Sequence, residues 1–204
     1  FITKKSPFSA LAKVFIRNRF FANAFVWLIW LIQKCGISGL LNRINSAANV
    51  LPVFEKPVAW QNFYQANGEK KGAVSLFLGC AGNALDAQTL KASIQVLNQL
   101  GYDVHIPARQ TCCGGIARQM GDAEESGKLI AQNQNSFDAS LPILTTASGC
   151  GAGLKDYLTT HKIQDISAFL IACDWSNVDL KPLNEQIHVQ DPCTLRNVQK
   201  SHPA

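Results

Sequence analysis

Five cysteines of this 204-residue chain stand just past runs of strand-forming residues, and that placement constrains the fold more than any other feature. The apolar run from Ala73 ends at Gly79-Cys80, and Tyr102 to Pro107 leads into a loop carrying Cys112-Cys113-Gly114-Gly115. Pro142 to Thr146 precedes Ser148-Gly149-Cys150-Gly151-Ala152-Gly153, and Gln186 to Gln190 precedes Asp191-Pro192-Cys193. Between these runs the period changes. Leu90, Ile94 and Leu97 follow Asp86, a helix-capping residue type, at helical spacing, and Gly101 ends the element. A second helix is expected over 116–137, weakened by Gly121 and Gly127, with short helical pieces at 154–158 and 166–171. Strand–helix alternation at this spacing predicts an α/β fold: a mainly parallel sheet with flanking helices, of which Gln186–Gln190 would be the fourth strand. In such a sheet the loops that follow the strands gather at the carboxyl edge, where ligands bind. Cys80, Cys112, Cys113, Cys150 and Cys193 are thereby expected on one rim.

The remaining two cysteines, Cys35 and Cys173, read as small buried hydrophobes. Seven in all, irregularly spaced with one adjacent pair, do not make a disulfide framework, and they suit an intracellular protein that uses its thiolates. Adjacent thiolates splay apart, so Cys112 and Cys113 close on a single tetrahedral zinc with difficulty, whereas a multi-iron cluster offers them different irons. Soft sulfur ligands favour iron–sulfur over hard cations, and zinc stays as the alternative. Gly79, Gly114, Gly115 and Gly151 allow close backbone approach, so their neighbourhood is expected to turn N–H groups toward a bound cluster. Other chemistry is poorly represented. Asp103, His105 and His188 form no acid–base constellation, and no P-loop, GxGxxG, nucleophile elbow or HExxH occurs, so no catalytic residue is assigned. Arg109, Arg118 and Arg196 lie near cysteines and could offset cluster charge or simply face solvent.

Hydrophobic residues make up 47% and charged residues 16%, which excludes a disordered chain. The net charge of +5 hides a division. Residues 1–71 hold ten Lys/Arg against Glu55 and Glu69, and residues 72–204 hold nine against twelve acids. The basic character is therefore local and carries no argument for nucleic acid. Within the basic part, Phe20 to Ile32 is apolar except for Asn23, and Arg17, Arg19 and Lys34 flank it. Thirteen residues fall short of the ~20 that a membrane span needs. A helix packed on a partner or in the core, and an interfacial membrane contact through residues 14–34, both remain open; Trp27 and Trp30 keep the second in play. The organisation expected is a basic, apolar helical segment over 1–71, with Ala66–Lys71 as linker, a cysteine-rich domain over 72–185, and the start of a further one over 186–204. Opening on Phe and stopping at Ser201-His202-Pro203-Ala204, the chain reads as a fragment.

Cys80, thirty-one residues, Cys112-Cys113-Gly-Gly, thirty-four residues, then Cys150-Gly-Ala-Gly resembles the cysteine-rich CCG domain. That domain is shared by the heterodisulfide reductase B subunit, the anaerobic glycerol-3-phosphate dehydrogenase C subunit and the glycolate oxidase iron–sulfur subunit. Asp191-Pro-Cys193-Thr-Leu-Arg196 resembles the opening of a second copy, and a ferredoxin domain would precede the first. The resemblance implies an iron–sulfur cluster, of [4Fe–4S] type, on Cys80, Cys112, Cys113 and Cys150, with Cys193 as a further ligand. It also implies electron transfer from a flavin-containing dehydrogenase subunit, oxidising a small 2-hydroxy acid such as glycolate or lactate, toward quinone. The expected location is cytoplasmic, peripheral on the inner face of the cell membrane. The family's last motif is CxxC, but Gly153 holds its second position here, which disfavours the alternative of disulfide reduction at a five-thiolate cluster.

Overall fold

A computed structural model describes residues 17, 19–35, 54–176 and 178–200. Its centre is a five-stranded sheet of β1 (Phe63–Tyr64), β2 (Gly72–Phe77), β3 (Tyr102–His105), β4 (Ile143–Thr145) and β5 (Ile163–Asp165), in the order β1-β3-β2-β4-β5. All pairings are parallel except β1 with β3, which is antiparallel and places Phe63 opposite His105. The mixed α/β class and mostly parallel sheet are as the sequence predicts.

The helices are α1 (Arg19–Lys34), α2 (Cys80–Leu85), α3 (Ala87–Gln99), α4 (Gly115–Gln119), α5 (Ala123–Gln134), α6 (Ser148–Tyr157) and α7 (Ile166–Ile171), followed by a π-helical turn at Thr194–Val198. Strand alternation sorts the core into two faces. Val74, Leu76, Val104 and Leu144 pack with Leu90, Ile94 and Leu97 of α3 and Ile166 of α7. Phe77, Ile143 and Ile163 face the other way, onto Ala117 of α4, Leu129 of α5, and Leu154 of α6 with Leu158 beyond it; Cys112 and Cys113 belong to this second cluster. Each buried Leu or Ile of these sets contributes on the order of 2 kcal/mol of transfer free energy.

Three departures from the sequence reading have plain causes. The helix expected over 116–137 is two: Gly121 takes φ +74, and Asp122 restarts the chain by accepting the Glu125 N–H at 3.0 Å. The strand expected at Gln186–Gln190 is not formed. A strand needs a ladder partner, and none of the five strands pairs with this segment, whose Ile187 and Val189 stand 64% and 71% exposed. Finally, the sheet takes β1 from upstream of residue 72, and the Ala66–Lys71 turn is tied down. Asn67 N donates to Asn98 O, Lys71 N to Gly101 O, and Ala66 N to Asp103 Oδ1 at 2.8 Å.

Asp103 also pairs with Lys70 at 2.7 Å. The Lys70 ammonium and the Ala66 N–H hold its carboxyl below the usual carboxylate range. A depressed carboxylate contributes stability that is present above the unfolded-state value, about 3.9, and is lost as pH falls through the lower folded value. Urea midpoints measured from pH 7 to pH 2 should therefore fall below about pH 4 in the wild type. In Asp103→Asn that acid limb should be shallower, on a midpoint already lowered at neutral pH.

Candidate metal centre

The order β3-β2-β4 sets the place. The chain leaves β2 toward β3 on one side and returns to β4 on the other, so the loops after β2 and β4 diverge and leave a crevice at the carboxyl edge. Cys80 is the first residue of α2, directly after β2, and Cys150 lies in the first turn of α6, after β4. The segment after β3 supplies Cys112 and Cys113. The helices thus begin at the cysteines; α6 starts at Ser148, earlier than the piece expected at 154–158.

The four sulfurs form a chain of contacts. Cys80 Sγ lies 3.5 Å from Cys112 Sγ, and Cys113 neighbours both Cys112 and Cys150. All seven cysteines are free of disulfides. Cys113, accepting from Cys112 and Cys150 and from the Gly115 N–H, is lowered to about 3 despite its burial. Cys80 is lowered chiefly by the Cys112 thiol, against burial and the Cys113 charge. Cys112, lying between Cys113 and Cys80, and Cys150, beside Cys113, are both pushed far up by those neighbours and by burial. The arrangement is a file rather than a ring about one point: among the described residues, no three His, Cys, Asp or Glu side chains are grouped to hold a single metal ion.

Backbone geometry explains two glycines. Gly79 (φ +66) turns β2 into α2, and a Cβ there would come 3.7 Å from Cys150 Sγ. Gly114 (φ +80) turns Cys113 into α4, with Ser126 Oγ 3.1 Å from where a Cβ would stand. At both positions the left-handed conformation favours glycine. Gly115 presents its N–H to Cys113. Gly151 does something other than expected: its N–H donates to Ala147 O at 3.0 Å, so the helix consumes it. Its missing side chain admits Gln199, whose Nε2 would lie 2.7 Å from a Cβ, as would Thr145 Oγ1. Gln199 Nε2 donates to Ser148 O at 2.8 Å, and Ser148 Oγ meets Thr194 Oγ1 at 2.6 Å, so residues 194–199 lie against the Cys150 helix.

Cys193 is exposed at the start of that π-helical turn, and Asn197 Nδ2 donates to its sulfur at 3.2 Å. It is not part of the four-sulfur chain. Cys35 is exposed instead of buried, because α1 ends just before it; Cys173 is half-buried and donates to Phe169 O. His188 is exposed, His105 meets the Phe63 ring edge-on, and Arg118 pairs with Asp156 at 3.2 Å.

Several residues that hold the loops escape a search for chemistry-bearing types. Asn133 of α5, fully buried, accepts the Thr111 N–H at 2.9 Å and donates to Cys112 O at 2.9 Å. Tyr157 donates its hydroxyl to Cys113 O at 3.0 Å, and burial raises its pKa. Gln110 accepts from Leu78 N and donates to Leu76 O, extending β2 in place of a strand. Only Asn133 left a signal: it stands four residues after Leu129, an amide on an apolar stripe.

The CCG family model, described as a cysteine-rich domain, matches residues 74–155. Residues 74–155 are a CCG cysteine-rich domain. The matched span holds the whole four-sulfur chain of this CCG domain. The probable glycolate oxidase iron-sulfur subunit of Bacillus subtilis (strain 168) is 29% identical over 204 residues, covering 85% of this chain and 46% of that protein. The glycolate oxidase iron-sulfur subunit of Escherichia coli (strain K12) is 32% identical over 155 residues, 64% of this chain and 37% of its own. The B subunit of the fumarate reductase (CoM/CoB) of Methanothermobacter marburgensis is 29% identical over 140 residues, 66% of this chain and 28% of its own. The chain thus spans less than half the length of each of these relatives. No solved structure is significantly similar to it.

The double role of Asn133 in the CCG domain has a measurable consequence. Asn133→Leu removes the Asn133 amide from the Thr111 N–H and the Cys112 carbonyl in a buried setting, and should lower stability by about 3 kcal/mol in urea unfolding.

Proposed function

We propose that this chain is an iron–sulfur electron-transfer component of an oxidoreductase acting on a small 2-hydroxy acid. The observation that carries the reading is the convergence of four sulfurs from three loops on one sheet edge. Cys80, Cys112, Cys113 and Cys150 would hold the cluster, of [4Fe–4S] type, with Cys193 near enough in sequence to a packed turn to serve a neighbouring one. An iron–sulfur cluster supplies one-electron storage at low reorganisation cost. This chain's residues do the rest. Asn133 and Tyr157 fix the carbonyls of the adjacent pair, and the Gly115 N–H is turned to Cys113, a contact of the kind that tunes reduction potential. Ionising all four thiols in a buried site needs compensating positive charge, which iron provides and which the shared protons replace in its absence.

The names of two relatives favour glycolate as the donor substrate; lactate as a second donor, a flavin-containing subunit as electron source and quinone as acceptor belong to the same proposal. The alternative of thiol/disulfide catalysis draws on the fumarate reductase relative. Gly153 weighs against it: nothing stands nearer than 4.0 Å to where its Cβ would be, that neighbour being Cys113 O, so four thiols and not five face the site. Anaerobic reconstitution should give iron and acid-labile sulfide in equal amounts with visible absorbance, and Cys113→Ser should lose the absorbance while far-ultraviolet circular dichroism persists. One equivalent of zinc with no labile sulfide would overturn the reading.

Peripheral attachment to the inner membrane face belongs to the same proposal and rests on α1. Among the described residues no helix is long and apolar enough to cross a membrane. α1 instead presents Phe20, Phe21, Trp27 and Leu28 outward, with Phe20 74% exposed, on a segment without an acid before Glu55. Apolar side chains flanked by cations suit the surface of an anionic bilayer. The chain should co-sediment with anionic vesicles, and Phe21→Ser with Trp27→Ser should weaken that partition about tenfold or more. Equal binding to zwitterionic vesicles, or none to either, removes the membrane part and leaves the cluster untouched.

A further inference from the structure

The inner side of α1 and Arg17 just before it are tied to two of the three cysteine-bearing segments, and the ties are polar. Asn83 is buried on α2, three residues after Cys80. Its Oδ1 accepts the Trp60 indole N–H at 2.6 Å, and its Nδ2 donates to Asn23 Oδ1 of α1 at 2.8 Å. Just before α1, Arg17 grips Glu125 with both arms, Nε to Oε1 at 3.1 Å and Nη2 to Oε2 at 2.6 Å. Glu125 is only 3% exposed, and this guanidinium meets its charge in geometry of the bidentate kind. The Arg17 carbonyl receives the Thr111 hydroxyl at 3.4 Å, one residue before Cys112. On the same helix Val26 is buried.

A buried amide such as Asn83 costs desolvation that an apolar residue would avoid, and it specifies orientation in return only if every partner is in place. Here the partner is another asparagine, on a different element, and the helix so held is the one that starts at Cys80. From this geometry we propose that α1 is a positioning arm for the cysteine centre, with Asn83 the positioning residue for Cys80 and Asn23 its handle on the arm. Arg17 acts in the same way on the Thr111-Cys112 segment through Glu125. The exposed aromatic face of α1 and the sulfurs of Cys80 and Cys112 are then opposite ends of one linked unit, so occupancy of that face bears on the centre. This inference rests on reading the cysteines as cluster ligands, but it can be tested without a cluster.

The test follows Cys80 in two states of the 204-residue chain. In the iron-free protein, alkylation of Cys80 by iodoacetamide, read by mass spectrometry, should run about fivefold faster in Asn23→Ala, the factor that one net hydrogen bond carries in an opening equilibrium. Asn83→Ala should match it, and the double variant should be no faster than Asn83→Ala alone, as two ends of one interaction require. Asn23 lies at the partly exposed end of the bridge, so its variant keeps the test alive where Asn83→Ala fails to fold. In the reconstituted protein, Asn23→Ala should shift the paramagnetic resonance signature and midpoint potential at unchanged iron content. Wild-type Cys80 reactivity in Asn23→Ala, or additive effects in the double variant, overturns the arm. A wild type that takes up no cluster while the alkylation pattern holds overturns the functional reading and keeps the arm.

Discussion

Four sulfurs set one after another in a buried file impose a charge rule on everything around them. They cannot all be ionised in a buried site without compensating positive charge. Along the chain from Cys80 through Cys112 and Cys113 to Cys150 the effect is uneven: Cys80 and Cys113 are lowered, while Cys112 and Cys150 are raised. Such a file works only if each sulfur is placed to within a few tenths of an ångström. The surrounding architecture follows from that demand: glycines that turn strand into helix without a side chain, and amides that seize the loop carbonyls.

The parallel sheet is what makes the placement possible, and it was also the most legible part of the sequence. β2 and β4 carry apolar residues on both faces because helices cover both, so they read as short continuous runs, while β3 shows Tyr102 and Val104 on one face against Asp103 and His105 on the other. The cysteines after them could be assigned to one edge from topology alone. β1 and β5 left no such trace: β1 is two residues long, and β5, Ile163–Asp165, has one apolar residue in three. Gln186–Gln190 misled for the opposite reason: Ile187 and Val189 alternate as in a strand, yet alternation states only which side chains would share a face, and pairing is a property of a neighbour.

Within the site, sequence identified the sulfurs but not what holds them. A cysteine announces its chemistry, whereas Asn133, Gln110 and Asn83 announce nothing, since the same amides are common on solvated helices and loops. Their function appears only when burial is known, for then an unpaired amide would be costly and each must be matched. Gly151 shows the converse. Sequence placed it correctly in a cysteine turn, but the close approach it permits is from Gln199, nearly fifty residues later, and not from its own N–H.

The same asymmetry governs α1. Thirteen nearly unbroken apolar residues give no helical stripe to read, because inward and outward positions look alike. The structure separates them: Asn23, Val26 and Gln33 turn inward or pair with the domain, while Phe20, Phe21, Trp27 and Leu28 turn out. Had α1 been held by apolar contact alone, any rotation about its axis would bury an equivalent face, and its orientation would be undetermined. The Asn23–Asn83 pair and the Arg17–Glu125 pair remove that freedom, because each has one geometry and a buried partner that tolerates no other. A single polar residue in an apolar run is therefore the informative one, and Asn23 decides which aromatic side chains are left to face outward.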